Sequence, residues 1–309
     1  VNALIFLLAQ RSSLTIPAQR VPILERLLAR GIGHAPDPAA EHPFLANFFK
    51  LSRTPWPLAA LTRALDAEDS RDGVWLRADP AHLRPDIAGA RLLAVGTLQL
   101  DADEVAALRR TLAPLFGDAG MLLSTPHPDR WYLQLPPAAS LPSLSPPWRS
   151  LGEDLRAHLP QGPEAARWQR LLNECQMLLH AHPVNQARAA SGRATANTLW
   201  FWGAGSWPTQ ISAQVAAIAS DDPLLLALAR ATATPAGLTL PAHASGVALL
   251  DLRGARDPVL LDSQWLAPAW RALRAGRLQS ITLQFADGER IVAGRARAFA
   301  FWRRPRALR

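Results

Sequence analysis

Cysteine is nearly absent. Cys175 stands alone, which excludes an internal disulfide and any cysteine-built metal cluster. It falls on an apolar helical stripe, so a buried, inert thiol is expected there rather than a nucleophile. Lysine is nearly absent too: apart from Lys50 the basic side is all arginine, so the net charge of +8 reads as coding bias before it reads as polyanion binding. No helix-turn-helix, zinc-finger spacing or RNA-binding aromatic motif is present, and nucleic acid is not an expected partner. Long apolar runs are missing. "ALIFLLA" (3–9) is too short to span a bilayer and lacks the basic leader and cleavage site of a signal peptide. No membrane contact and a cytoplasmic location are therefore expected. There is no glycine-rich phosphate loop, serine nucleophile elbow or HExxH, and no cofactor is expected.

What is present is globular. Apolar residues make up 49% and charged residues 19% of 309, enough chain for one large domain or two of ordinary size. "ALIFLLA" reads as the buried first strand of a parallel sheet. The helix "RVPILERLLARG" follows, with Ile23, Leu24, Leu27 and Leu28 on one face and Gly31 as its stop. Further helices are predicted at 43–51 and 57–67. Residues 76–160 read as strand, helix, strand, strand: a strand at 90–100, a helix capped by Asp101, then "GMLLS" and "RWYLQLP". A Pro/Ser loop spans 136–147. Trp168, Leu171, Leu172, Cys175, Leu178, Leu179 and His182 mark one face of a long helix that Pro183 ends.

"TLWFWG" (198–203) is a short aromatic strand, a helix at 221–232 opens on Asp221 or Asp222, and an Asp287-Gly288 turn closes a late hairpin. The basic tail "RARAFAFWRRPRALR" carries Arg295, Arg297, Arg303, Arg304, Arg306 and Arg309. Its alternating first half reads as an edge strand with solvated arginines, and a polyanion contact is the other reading. Strand–helix alternation at both ends, around a different middle, predicts an α/β fold with a doubly wound core and an inserted smaller α+β domain.

Polar groups concentrate in "HAHPVNQARAASGRATANTLWFWGAGSW" (180–207). His180 and His182 lie two apart at a helix end, point about 200° apart on a helix and cannot share a metal. The order His182, Pro183, Asn185, Arg188, Gly192, Ala196, Asn197, Trp200, Trp202, Gly203, Gly205 follows "LNE" at 172–174. This window resembles the archaeal-type cofactor-independent phosphoglycerate mutases, whose pattern is "LNE", "HPVNxxRxxxGxxxAN" and "WxWGxG". The block "ARLLAVGTLQLDADEVAALRRTLAPLF…RWYLQL" is similar to that family's inserted domain, more weakly. The chain is also similar to RpfE-type bacterial regulatory proteins.

The resemblance implies an alkaline-phosphatase-like core, mostly parallel sheet flanked by helices, at 1–75 and 183–309, with the insertion at 76–182. It also implies a two-metal centre with Asp and His ligands and a Ser or Thr that takes the phosphoryl group. This sequence departs from it there. Gln10 and Arg11 follow strand one where an acid belongs. Pro43 stands near the nucleophile position, and Phe44 stands where an acidic ligand would. No His follows His243. Asp251, Asp257 and Asp287 remain as carboxylates for one Mg²⁺.

The expectation is a catalytically degenerate relative with a regulatory, ligand-sensing or interaction role. The alternative is an active mutase or phosphatase with a rearranged metal site. His182, Asn185, Arg188 and Asn197, with Arg77, form a donor set suited to a small phosphorylated or carboxylate ligand. The same Asn and Trp side chains could instead lock a hinge. The Trp-rich surface and the arginine tail leave room for a protein partner.

Overall fold

The computed structural model describes residues 1–14, 20–36, 42, 44–52, 55–86, 89–240, 245–300 and 302–303. The chain divides into two compact units, 1–52 with 210–309, and 53–209. The boundaries differ from the expected 75/76 and 182/183. Helix α2 (Leu58–Asp66) packs on strands β4 (Val74–Asp86) and β8 (Thr198–Gly205), and β8 pairs with β4, so both flanks travel with the middle.

The first unit is built on a seven-stranded sheet. Its strands are β1 (Ala3–Leu8), β2 (Ile32–His34), β10 (Ala217–Ala219), β11 (Ala236–Gly237), β12 (Val247–Leu252), β13 (Ser280–Phe285) and β14 (Arg290–Gly294), in the order β11-β10-β12-β1-β13-β14-β2. Pairings from β11 through β13 are parallel, and those of β14 with β13 and β2 are antiparallel. The buried run Phe6, Leu7 and Leu8 explains why β1 sits at the centre: only a strand covered on both faces can be apolar at consecutive positions. Helices α1 (Pro22–Arg30) and α9 (Ala267–Arg274) set Leu24, Leu27, Trp270 and Leu273 against Phe6, Leu283 and Phe285. Each such fully buried side chain contributes about 1.5–3 kcal/mol. Before α9, the chain runs through a turn α8 (Pro258–Leu260) and a π-helical stretch, Leu261–Leu266. Helix α7 (Pro223–Ala231) opens on Asp222, one of the two caps expected.

Two local expectations change, and one holds by another route. Gly31 ends α1 as expected, but not through a left-handed turn, since its φ is −67°. A Cβ there would collide with Ile291 Cγ2, so the glycine serves close approach of the chain to β14. Within the predicted helix 43–51, the described residues form turns and then β3 (Phe49–Leu51), which pairs antiparallel with β9 (Ile211–Ala213). The tail after β14 is a helical turn, α10 (Arg295–Ala298), rather than an edge strand. Ala298 and Ala300 are buried, and alanine serves a helical turn better than a strand.

The second unit carries a five-stranded sheet of β4, β5 (Gly89–Val95), β6 (Leu122–His127), β7 (Arg130–Leu135) and β8. One face buries Leu76, Ala78, Leu133 and Phe201 against α3 (Ala102–Asp118) and α5 (Ala165–His180). Asp101 caps α3 in a reciprocal capping box with Glu104. A turn, α4 (Pro147–Ser150), lies at the end of the Pro/Ser stretch. The long helix α5 stops at His180, and His182 opens a new helix, α6 (Pro183–Ala190), with Pro183 in its first turn. Proline ends one helix here and begins the next.

Candidate functional site

The polar window belongs to the second unit, and every partner of its key side chains does too. His182 is the N-cap of α6: its Nδ1 accepts from the Val184 N–H at 3.2 Å, and its Nε2 lies 3.1 Å from Thr111 Oγ1 on α3. Burial lowers its pKa, which favours the neutral ring that this cap requires. Asn185 is 3% exposed and bridges three backbone groups. Its Nδ2 donates to Leu179 O at 2.9 Å and Ala196 O at 2.8 Å, and its Oδ1 accepts from the Ala196 N–H at 2.8 Å.

Arg188, 2% exposed, donates from Nε to Ala194 O at 2.7 Å, from Nη1 to Glu104 Oε2 at 2.7 Å and from Nη2 to Leu98 O at 2.6 Å. Asn197 pairs both ways with the Leu83 backbone at 2.8 Å, extending the β8–β4 ladder by a side chain. Trp200 Nε1 donates to Ser145 O at 2.8 Å, and Trp202 Nε1 to Asp79 Oδ2 at 2.7 Å.

Arg77 is not brought to His182, Asn185, Arg188 and Asn197, and meets the window only at Trp202. It alternates with Leu76 and Ala78 and so lies on the other face of β4. There it donates to Asp79 Oδ1 at 2.9 Å and Thr62 Oγ1 at 3.1 Å, with its guanidinium 4.9 Å from the Trp202 ring centre. Around it runs a network that sequence reasoning missed. Arg130 and Tyr132 converge on Asp66, and Arg63 grips Asp69 while stacking 3.6 Å from the Trp75 ring centre. The Asp66 bonds join β7 to α2, and no short-range spacing announces them. Cys175 is fully buried, and burial pushes its thiol up to about 12, as an inert core group requires.

A second polar group lies at the carboxyl ends of the parallel strands in the first unit, the usual ligand position of an open α/β sheet. A cleft of about 620 Å³ there is lined by Asp221, Asp222, Asp251, Arg253 and Arg256. Arg253 fills the space between the carboxylates. Its Nε donates to Asp251 Oδ1 at 2.9 Å, and its Nη2 reaches Asp251 Oδ2 at 2.6 Å and Asp222 Oδ2 at 2.8 Å. Ser220 Oγ adds a bond to Asp251 Oδ2 at 2.9 Å, and the Phe44 ring lies 5.4 Å from the guanidinium. Burial alone would raise Asp251, but the Arg253 bonds and charge outweigh it and hold the carboxyl below its ordinary range. Arg253 is raised in turn, its carboxylate partners outweighing burial. A hollow of about 570 Å³ beside Leu4, Phe6, Leu250 and Trp265 is mostly apolar and has no converging set of polar groups.

The donor set does not fit two divalent cations. Asp251 and Asp222 already share a fixed cation. Asp257 caps α8 through the Val259 and Leu260 N–H groups, and Asp287 accepts the Glu289 N–H within the hairpin turn. Gln10 and Arg11 follow β1, and Arg11 pairs with Glu289 at 3.1 Å. Among the described residues no three His, Cys, Asp or Glu side chains form a group that could hold a metal. Pro43 and His243 lie outside the described residues.

No family model matches the chain. A Geobacter sulfurreducens protein named "Probable 2,3-bisphosphoglycerate-independent phosphoglycerate mutase" is 37% identical over 70 residues, 23% of this chain and 18% of that protein. A 2,3-bisphosphoglycerate-independent phosphoglycerate mutase of Methanothrix thermoacetophila is 35% identical over 65 residues, 21% of this chain and 17% of its own length. The matches thus span less than a fifth of those relatives. Among solved structures, the PH0037 protein from Pyrococcus horikoshii aligns at TM-score 0.46 and 16% identity, over 95% of this chain and 87% of that one. The cofactor-independent phosphoglycerate mutase from Thermoplasma acidophilum aligns at TM-score 0.41 and 17% identity, over 95% and 90%. Over these 65 to 70 residues the chain is similar to 2,3-bisphosphoglycerate-independent phosphoglycerate mutases.

Proposed function

We propose that this chain is a catalytically degenerate phosphoglycerate-mutase-like protein with a regulatory or interaction role. One observation carries the reading: the Arg253 guanidinium sits between Asp251 and Asp222. A two-metal reaction needs carboxylates with free lone pairs and open positions for the attacking and leaving oxygens. Here both carboxylates are engaged by one side chain that cannot exchange or lose its charge. The five predicted ligand-binding residues fit the same reading. His182 is taken up by the Val184 N–H and Thr111, Asn185, Arg188 and Asn197 direct their donors at backbone carbonyls and Glu104, and Arg77 directs its own at Asp79 and Thr62. They act as internal cross-links of the second unit, which favours the locking role over a phosphate or carboxylate pocket.

The test is a coupled assay of 3-phosphoglycerate and 2-phosphoglycerate interconversion with Mn²⁺ or Mg²⁺, beside thermal melts with and without each metal. The expected result is no turnover and no metal-dependent shift in Tm, because only a ligand of the folded state raises it. Arg253→Ala exposes Asp251, Asp222 and Ser220, and this variant is expected to gain Mn²⁺-dependent stabilisation. Metal-dependent turnover by the unaltered chain would overturn the proposal.

A further inference from the structure

The net charge has an address. Residues 263–309 hold ten of the 33 basic residues and only two of the 25 acidic ones, Asp287 and Glu289. The preceding 262 residues are therefore balanced, and the whole +8 lies in the last 47. Coding bias explains why the cations are arginine. It does not explain why acids are missing from one segment and matched everywhere else.

The fold gathers part of this charge, Arg274, Arg295 and Arg297, with Arg26 and Arg30 of α1. Arg30 Nη1 donates to Ala298 O at 2.8 Å, and Arg297 Nη1 returns a bond to Arg30 O at 3.4 Å, which ties the end of α1 to α10. The Arg274 guanidinium on α9 lies 5.4 Å from the Phe299 ring centre, and that of Arg295 packs over Gly276. Arg30 is pushed below its ordinary range by burial and by the charges of Arg26 and Arg274, so these cations repel one another across a short distance. Arg30 Nε is buried with no hydrogen-bond partner. Arg26, Arg30, Arg274, Arg295, Arg297 and Arg303 make no ion pair among the described residues. Exposed apolar side chains accompany them: Phe299, against Arg274, is 46% exposed, and along the chain Trp302, next to Arg303, is 70% exposed and Ile32, two residues beyond Arg30, 47%.

We infer that the surface formed by α1, α9, α10 and the side chains of Phe299, Trp302 and Arg303 docks on an anionic lipid bilayer. The argument is charge complementarity joined to side-chain type. Unneutralised arginines spread over helix surfaces suit a partner whose negative charges are many and laterally mobile, rather than one small anion that needs a converging pocket. Arginine pairs bidentately with phosphate. Exposed Phe and Trp among the cations would enter the headgroup region, where aromatic rings are favoured. An aliphatic group such as Ile32 gains in that setting and gains nothing from stacking on a base, which favours lipid over a nucleic-acid strand. The absence of a spanning segment bears only on crossing a bilayer. The inference concerns a surface apart from the Arg253 cluster and stands whether or not the chain turns over a substrate.

The experiment is co-sedimentation of the full chain with vesicles of 40% phosphatidylglycerol in phosphatidylcholine, against phosphatidylcholine alone, at low and at 0.5 M NaCl. Binding is expected only to the anionic vesicles and is expected to fall sharply at high salt. Each cationic side chain near such a surface is worth roughly five-fold in partitioning, so Arg274→Ala with Arg295→Ala should weaken binding about thirty-fold. Phe299→Ala, which keeps every charge, should weaken it on the order of ten-fold. Arg109→Ala with Arg110→Ala, at exposed sites on α3, should change nothing, and thermal melts check that each variant is folded. No anionic-vesicle binding would overturn the proposal. So would equal loss in the α3 variant, or tighter binding to single-stranded DNA or to a poly-glutamate chain than to vesicles.

Discussion

Arg188 carries a guanidinium into a place only 2% exposed, where two carbonyls and Glu104 meet it. Glu104 is itself engaged in capping α3, so a single side chain couples α6, the loop at Leu98 and the start of α3. Truncation would leave Glu104 with half-exposed Arg193, 3.1 Å away, as its remaining cation, and would orphan the buried Leu98 carbonyl along with that of Ala194. Removing one partner of a buried pair costs about 3–5 kcal/mol, so Arg188→Ala should lower the urea midpoint by a large fraction of the total stability. Arg188→Lys should recover little, because one ammonium cannot span three divergent acceptors. A loss under about 1 kcal/mol would refute the locking role. The sequence identified Arg188, Asn185 and Asn197 as unusual but could not say what they bind. A donor aimed at a ligand and a donor aimed at a backbone carbonyl have the same letters.

At the scale of elements, the "LWFWGAG" strand shows why its glycines matter. Gly203 has φ +67°, and a Cβ there would stand 3.1 Å from Leu58 Cβ; Gly205 has φ +154°, and its Cβ would stand 2.6 Å from Pro57 Cβ. Strand β8 can therefore lie against the start of α2 only without side chains at these positions. Gly203→Ala combines a left-handed backbone with a tight contact and should cost about 1–3 kcal/mol in thermal or urea unfolding. Gly254→Ala, where nothing lies within 4 Å, serves as the control and should stay within about 0.5 kcal/mol. An equal effect at both positions would defeat the packing argument.

Most elements were legible from periodicity, because burial on both faces writes an apolar run for β1 and burial on one face writes the stripe of α5. The misreadings fell where neither pattern rules. β3 is three residues held by pairing with β9, a partner distant in sequence. At α10, alternating Arg and Ala satisfies a helical turn as readily as a strand.

For the molecule as a whole, acid should act on each unit through its depressed carboxylates, Glu25 and Asp251 in the first and Asp66 and Asp69 in the second. Burial alone would raise both Asp66 and Asp251. Bonds from Arg130 and Tyr132 outweigh it at Asp66, and those from Arg253 and Ser220 outweigh it at Asp251, so both are lowered. A carboxyl whose folded pKa lies below its unfolded value binds its proton more tightly when unfolded. Its stabilisation is complete above the unfolded pKa, about 3.9 for Asp, and is lost as pH falls through the folded pKa. Asp262 and Asp79 are raised by burial and work in the opposite direction, so the acid limb of the unaltered chain is a difference of opposing terms. A variant comparison isolates one of them. Asp251→Asn keeps the shape and removes the titration, so it should be less stable than the unaltered chain at pH 7. The gap should persist to about pH 5 and narrow toward pH 3, below the unfolded pKa, where the unfolded chain binds the Asp251 proton more tightly than the folded one. Urea midpoints at pH 7, 5, 4 and 3 measure that gap directly. A gap that stays constant to pH 3 would mean that the charge on Asp251 contributes nothing and that the Arg253 cluster is held by shape and hydrogen bonds alone.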